Sequence, residues 1–140
     1  MTPVIIGVFS GLLIVAVVAM FRRSDLAAIY SLILSGIGFI YVGFTWSVTE
    51  DLIINSVQAL FFLFVALYGL RKGLHFLAFG YFLHGIWDLL YNYFESSHLV
   101  PSNYDWFCMT LDFTIAVYLL LLKSRTAIVR NRDKNEIVNR

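Results

Sequence analysis

The chain has 140 residues, of which 60% are hydrophobic, 17% aromatic and only 14% charged, with a formal net charge of +1. An average soluble domain is about 45–50% apolar and about 25% charged, so this chain has too little charge to cover a water-facing surface. The balance excludes a soluble globular domain, a nucleic-acid binder and a disordered tail, and it leaves an all-α, polytopic transmembrane bundle.

A membrane-crossing helix needs about 20 mostly apolar residues. Five stretches meet that length: Pro3–Phe21, Leu26–Val48, Leu52–Leu70, Leu74–Phe94 and Trp106–Leu122. No period-two alternation suggests a barrel, and an open sheet cannot satisfy its backbone in lipid. The first span lacks the basic flank of a signal peptide and is read as a retained helix. It carries Gly7-Val8-Phe9-Ser10-Gly11, a GxxxG motif. Such motifs seat one helix closely on another, here within one bundle or, alternatively, at a homo-oligomer seam through Gly7 and Gly11.

In the second span, Ser31, Ser35, Gly36, Gly38 and Gly43 predict a smooth side for packing. The third span carries Asn55 and Gln58, residue types that hydrogen-bond between helices. Tyr41, Trp46, Tyr93, Tyr104 and Trp106 fall near one boundary, as an aromatic belt does.

The connections are short, so successive helices are expected to run antiparallel. Arg22, Arg23, Arg71 and Lys72 lie in the first and third connections. Lys123, Arg125, Arg130, Arg132, Lys134 and Arg140 follow the fifth span. With five spans, all ten basic residues reach one side, while Glu50, Asp51, Glu95 and Asp105 reach the other. The positive-inside rule then predicts the N-terminus out and the C-terminus in, as in a multi-pass inner-membrane protein. Residues 1–122 read as one transmembrane domain, and 123–140 as a basic cytoplasmic tail that extends the last helix briefly, then frays or rests on anionic headgroups.

The informative residues are polar ones inside the spans. In the fourth span, at 100° per residue, His84 and Asp88 are about 40° apart and Tyr91 returns to within about 20° of His84. At about 1.5 Å rise per residue, Asp88 and Asp112 of the fifth span reach similar depths. The two carboxyls are thus expected to meet in the outer half of the bundle, with His84 one turn deeper. An Asp at mid-helix costs about 2.5–3.5 kcal/mol on insertion scales, so two of them should face inward and find partners. No Lys or Arg lies within a span. Three resolutions remain: a proton shared between the aspartates, a His84–Asp88 pair, or a bound cation.

His84, Asp88 and Asp112 also supply three metal ligands of mixed N/O character, compatible with zinc, iron or manganese. Trp87 is expected to pack or to form a pocket wall, and Cys108 to be a small buried residue on the Asp112 face. His75 and His98 lack ligand spacing and are expected to be solvated.

The run His84-Gly85-Ile86-Trp87-Asp88, then Pro101, then Cys108 and Asp112, resembles the domain-of-unknown-function family 6010, small bacterial membrane proteins with no established activity. The resemblance covers Leu74 to about Leu122. His84, Trp87, Asp88, Cys108 and Asp112 match the family pattern, but Tyr91 and Asn92 stand where it has paired histidines. It implies a common membrane architecture and a polar site, without naming a reaction.

Three functions are expected in order. The first is binding of a cation, proton or small polar ligand by His84, Asp88 and Asp112, with Tyr91, Trp87 and Cys108 around them. The second is an intramembrane enzyme using a divalent metal on a lipid or apolar substrate. The third is an accessory or assembly subunit whose polar cluster is only structural. The expected partner is the lipid bilayer, with no nucleic acid.

Overall fold

The computed structural model describes residues 1–21, 25–93 and 99–138. Arg22, Arg23, Phe94, Glu95, His98 and Arg140, named above, lie outside the described residues. So do the side chains of Asn92, Lys123 and residues 125–138. Five helices make up the fold: α1 Thr2–Val18, α2 Leu26–Thr45, α3 Thr49–Lys72, α4 Leu74–Tyr93 and α5 Tyr104–Val138. No strand occurs among the described residues.

By length and composition α2, α3 and the Tyr104–Leu122 part of α5 can each cross a membrane. α1 is apolar but has 17 residues. α4 has 20, and its His, Asp and Tyr residues lower its hydropathy below that of the other three. Leu32 is 74% exposed and Phe64 70% exposed, so the outer surface is apolar. Such a surface belongs in lipid.

Local sequence explains the helix ends. Pro3 stands in the first turn of α1, where its missing N–H removes no intrahelical bond. α3 begins with Glu50 and Asp51 and ends with Arg71 and Lys72, each sign matching the helix dipole. Gly73 stops α3 at φ 93°, a conformation open mainly to glycine, and its N–H bonds Gly69 O at 2.7 Å. The next residue already begins α4, so α3 and α4 fold back on each other. α5 runs on to Val138, well past the brief extension expected after Leu122. Residues 123–138 contain neither Gly nor Pro to stop it.

α1 packs on α5, α5 on α4, α4 on α3 and α3 on α2, with α2 also touching α4. The GxxxG face of α1 is filled within the chain. A Cβ at Gly7 would collide with the Phe107 carbonyl oxygen and the Thr110 hydroxyl. One at Gly11 would stand 2.9 Å from Thr114 Cβ and 3.1 Å from Leu111 O. The smooth side of α2 is used in part: Gly38 faces Phe62, while Gly36 and Gly43 have nothing within 4 Å.

The interior divides along its length. Where α3 ends and α4 begins, the core is apolar: Tyr30, Leu34, Ala66, Leu77, Tyr81, Ile115 and Leu119. Where α2 ends and α3 begins, the interior is polar: Thr45, Asn55, Gln58, His84, Asp88, Asp105 and Asp112 are all buried.

Candidate functional site

The polar half is assembled by four helices. On α4, His84 and Asp88 lie one turn apart and share an inward face, as the helical period requires. On α5, Cys108 and Asp112 are likewise four residues apart. Gly85 lets these two helices approach closely, since a Cβ there would lie 2.6 Å from the Phe113 ring and 3.3 Å from Met109 O.

His84 stands at the centre, fully buried. Its Nδ1 is 2.7 Å from Asp112 Oδ2 and 3.4 Å from Asp88 Oδ2. Its Nε2 is 3.3 Å from the amide nitrogen of Gln58 on α3. A carboxylate only accepts and that amide nitrogen only donates. The tautomer with its proton on Nδ1 therefore satisfies both contacts. The Phe62 ring meets the imidazole edge-on at 4.5 Å between centroids. The two aspartates thus converge through His84, with Asp112 bonded to the imidazole.

Cys108 joins them. One donor atom from each of His84, Asp88, Cys108 and Asp112 lies within 4.8 Å of the others, and all four residues are buried. The cysteine is free, and its side chain reaches Asp88 and Tyr104. Several polar atoms here lack a hydrogen-bond partner among the described residues: Asp88 Oδ2, Asp112 Oδ1, Gln58 Oε1, Asn55 Oδ1 and Trp87 Nε1. Buried polar atoms are normally paired, so this concentration marks a place with spare bonding capacity.

Tyr41 corrects the expectation of an aromatic belt. It is fully buried, and its hydroxyl lies 3.0 Å from Asp88 Oδ1 and 2.8 Å from Asp105 Oδ1. A hydroxyl near the end of an apolar span serves equally as a headgroup anchor or as an internal partner; here two buried carboxyls decide it. Trp46 and Tyr93, by contrast, are 75% and 82% exposed. Asp105, expected in the connection, is buried in the first turn of α5.

The Tyr91 ring packs against that of Tyr41 at a tilt of 56°, with centroids 4.8 Å apart, and its hydroxyl accepts from Asn55 Nδ2 at 3.4 Å. It borders the four-donor cluster through Tyr41. Asn55 also donates to Thr45 Oγ1, whose hydroxyl donates to Tyr41 O at 2.8 Å. Trp87 is half-buried and lines a groove between α3 and α4.

Tyr41, Asp105, Gln58 and Thr45 complete the network beyond the expected cluster. Gln58 was expected to hydrogen-bond between helices, and two signals in the sequence could have found the other three. Asp105 and Asp112 are seven residues apart, hence on one helix face. Ser31, Leu34, Gly38, Tyr41 and Thr45 follow helical spacing on one face of α2.

No curated protein and no solved structure matches the chain. A family of unknown function, DUF6010, matches residues 2–126, far more than the Leu74–Leu122 stretch that carried the resemblance. The chain, with its apolar helical bundle and buried His/Asp/Cys/Asp group, belongs to that family.

Proposed function

We propose that this protein is a multi-pass membrane protein that binds one divalent transition-metal cation between His84, Asp88, Cys108 and Asp112. One observation carries the reading: four buried donor atoms of N, S and O type lie within 4.8 Å of one another. A tetrahedral zinc ion, with bonds of about 2.0–2.3 Å, spaces its ligands about 3.3–3.8 Å apart. The farthest donors need close by only about 1 Å. The Nδ1–Oδ2 pair, now at hydrogen-bond distance, opens by a similar amount or less; the imidazole proton passes to Nε2, and the Gln58 amide turns its oxygen toward it. The thiol shifts the preference from manganese toward zinc, because a softer donor suits a borderline ion. No Lys or Arg occurs between residues 73 and 122, so on α4 and the start of α5 only His84 can offset the two aspartates, and a bound cation would supply the remaining positive charge.

The ten basic residues support the finer topology: residues 1–122 as one transmembrane domain of an inner membrane, N-terminus out, with the tail on the cytoplasmic side.

The test is equilibrium dialysis of purified protein against zinc. We expect one equivalent per chain, and loss of binding in an Asp88→Asn/Asp112→Asn double variant that keeps its helical circular dichroism. Absence of binding, or equal binding by the variant, overturns the reading. The 2.7 Å His84–Asp112 contact and the Tyr41 bridge favour a second reading, a cation-free network held by protons that fixes helix register. Under it, wild-type protein takes up no zinc, yet the double variant loses stability.

A further inference from the structure

At the end of the bundle where α3 turns into α4, a groove of about 470 Å³ is lined by Tyr68, Lys72, His75, Phe76 and Phe79. That volume lies within the range of about 300–1,000 Å³ typical of small-molecule sites. The turn at Gly73 builds it, because Lys72 closes α3 and His75 is the second residue of α4. Two basic side chains from different helices thus share one groove, and no acidic residue lines it among the described residues. Neither forms an ion pair with another described residue.

The remaining walls are aromatic. Lys72 Nζ sits 5.4 Å from the centre of the Tyr68 ring, one turn back on α3, a contact that holds the ammonium at the groove. Tyr68 meets Phe76 edge-on at 4.7 Å between centroids, and Phe76 meets Phe79 at 6.2 Å. Tyr68 and Phe79 are exposed on the apolar outer surface. In a bilayer the levels match. α3 has 24 residues, about 36 Å at about 1.5 Å per residue, against a hydrocarbon core of about 30 Å. Its last residue, Lys72, then stands at headgroup level, and Tyr68 and Phe79, each about one turn further in, at the edge of the hydrocarbon.

We propose that this groove binds an anionic phospholipid, its phosphodiester between Lys72 and His75 and an acyl chain over Phe76 and Phe79. A phosphodiester has two non-bridging oxygens. The ammonium donates to one and an imidazole N–H to the other, in either protonation state of the ring. A zwitterionic headgroup brings its own ammonium beside Lys72 and loses the advantage. The site rests on the membrane reading and not on the cation cluster, which lies in the other half of the bundle.

The test uses phosphatidylglycerol and phosphatidylcholine of identical chains, each with a diazirine on one chain. Each is photolysed as a trace probe with the protein in phosphatidylcholine vesicles, and labels are mapped by peptide mass spectrometry. The phosphatidylglycerol probe should label residues 68–79 more strongly, by about fivefold if Lys72 alone is charged and about 25-fold if His75 is charged too. Both probes should label residues 53–61 alike; absence of label there overturns the membrane placement and the site with it. Lys72→Gln/His75→Gln should remove the preference. Arg130→Gln/Arg132→Gln, which deletes two charges from the tail, should keep it. Equal labelling of residues 68–79 by the two probes in the wild type, or loss of the preference in the tail variant as well, overturns the proposal. Stronger labelling by a diazirine fatty acid than by phosphatidylglycerol assigns the groove to free carboxylates and overturns it too. The wild-type comparison decides even if a variant fails to fold.

Discussion

Two tyrosines on α2 offer a controlled comparison. Tyr30 and Tyr41 are both fully buried, and Tyr→Phe removes only an oxygen from each. Their hydroxyls differ in surroundings. That of Tyr41 lies against Asp88 and Asp105, at 3.0 and 2.8 Å, while that of Tyr30 has no hydrogen-bond partner among the described residues. Removing the Tyr41 hydroxyl deletes the bond it donates to one carboxylate and the bond it accepts from the other carboxyl in its protonated form. Interhelical hydrogen bonds in membrane proteins average about 0.6 kcal/mol, which sets a floor of about 1 kcal/mol for the two. An unpaired buried acceptor costs about 1–3 kcal/mol, which places the ceiling at several kcal/mol. We expect Tyr41→Phe to destabilise by about 1–3 kcal/mol. Tyr30→Phe should be neutral or stabilise by up to about 1 kcal/mol, because it deletes an unsatisfied polar atom. Reversible unfolding in mixed detergent micelles, followed by far-ultraviolet circular dichroism, reads both values. Equal effects of the two substitutions refute the hydrogen-bond assignment and reduce both rings to packing.

Gly7→Val should destabilise by about 1–3 kcal/mol through overpacking against Phe107 and Thr110. Gly36→Ala on α2, with nothing within 4 Å of its Cβ, should be neutral or stabilise by up to about 1 kcal/mol; thermal melts of the first test the α1–α5 seam, with the second as control. Cys108→Ser should weaken zinc retention against a chelator while leaving the fold intact, since serine fills nearly the same space but is a poorer zinc ligand. A reporter fused after Val138 should be active only on the cytoplasmic side, and exchanging the basic residues of the first connection for the acidic ones of the second should impair that orientation.

The fold was largely legible because the hydrophobic period and the short polar connections act locally. The pairing of His84 with Asp88 followed from helical phase alone. The level of Asp112 followed from counting rise along an antiparallel helix. Contacts that depend on rotation of one helix against another were not legible. Gln58 reaching His84 depends on the mutual rotation of α3 and α4, which no local pattern states. Tyr41 was obscured because an aromatic near a span end has two physical uses. Asp105 fell on the wrong side of a boundary drawn two residues late, at Trp106 rather than Tyr104. Cys108 was placed on the Asp112 face and around the site but not among the metal ligands, and the approach of α4 and α5 over Gly85 puts its sulfur beside the carboxyls.

X-ray absorption at the zinc edge of metal-loaded protein tests the central claim most directly. The account predicts one sulfur at about 2.3 Å and three nitrogen or oxygen neighbours at about 2.0–2.1 Å. In Cys108→Ser the sulfur contribution should disappear. A first shell with no sulfur in the wild type, or protein that retains no zinc to measure, contradicts the four-donor site.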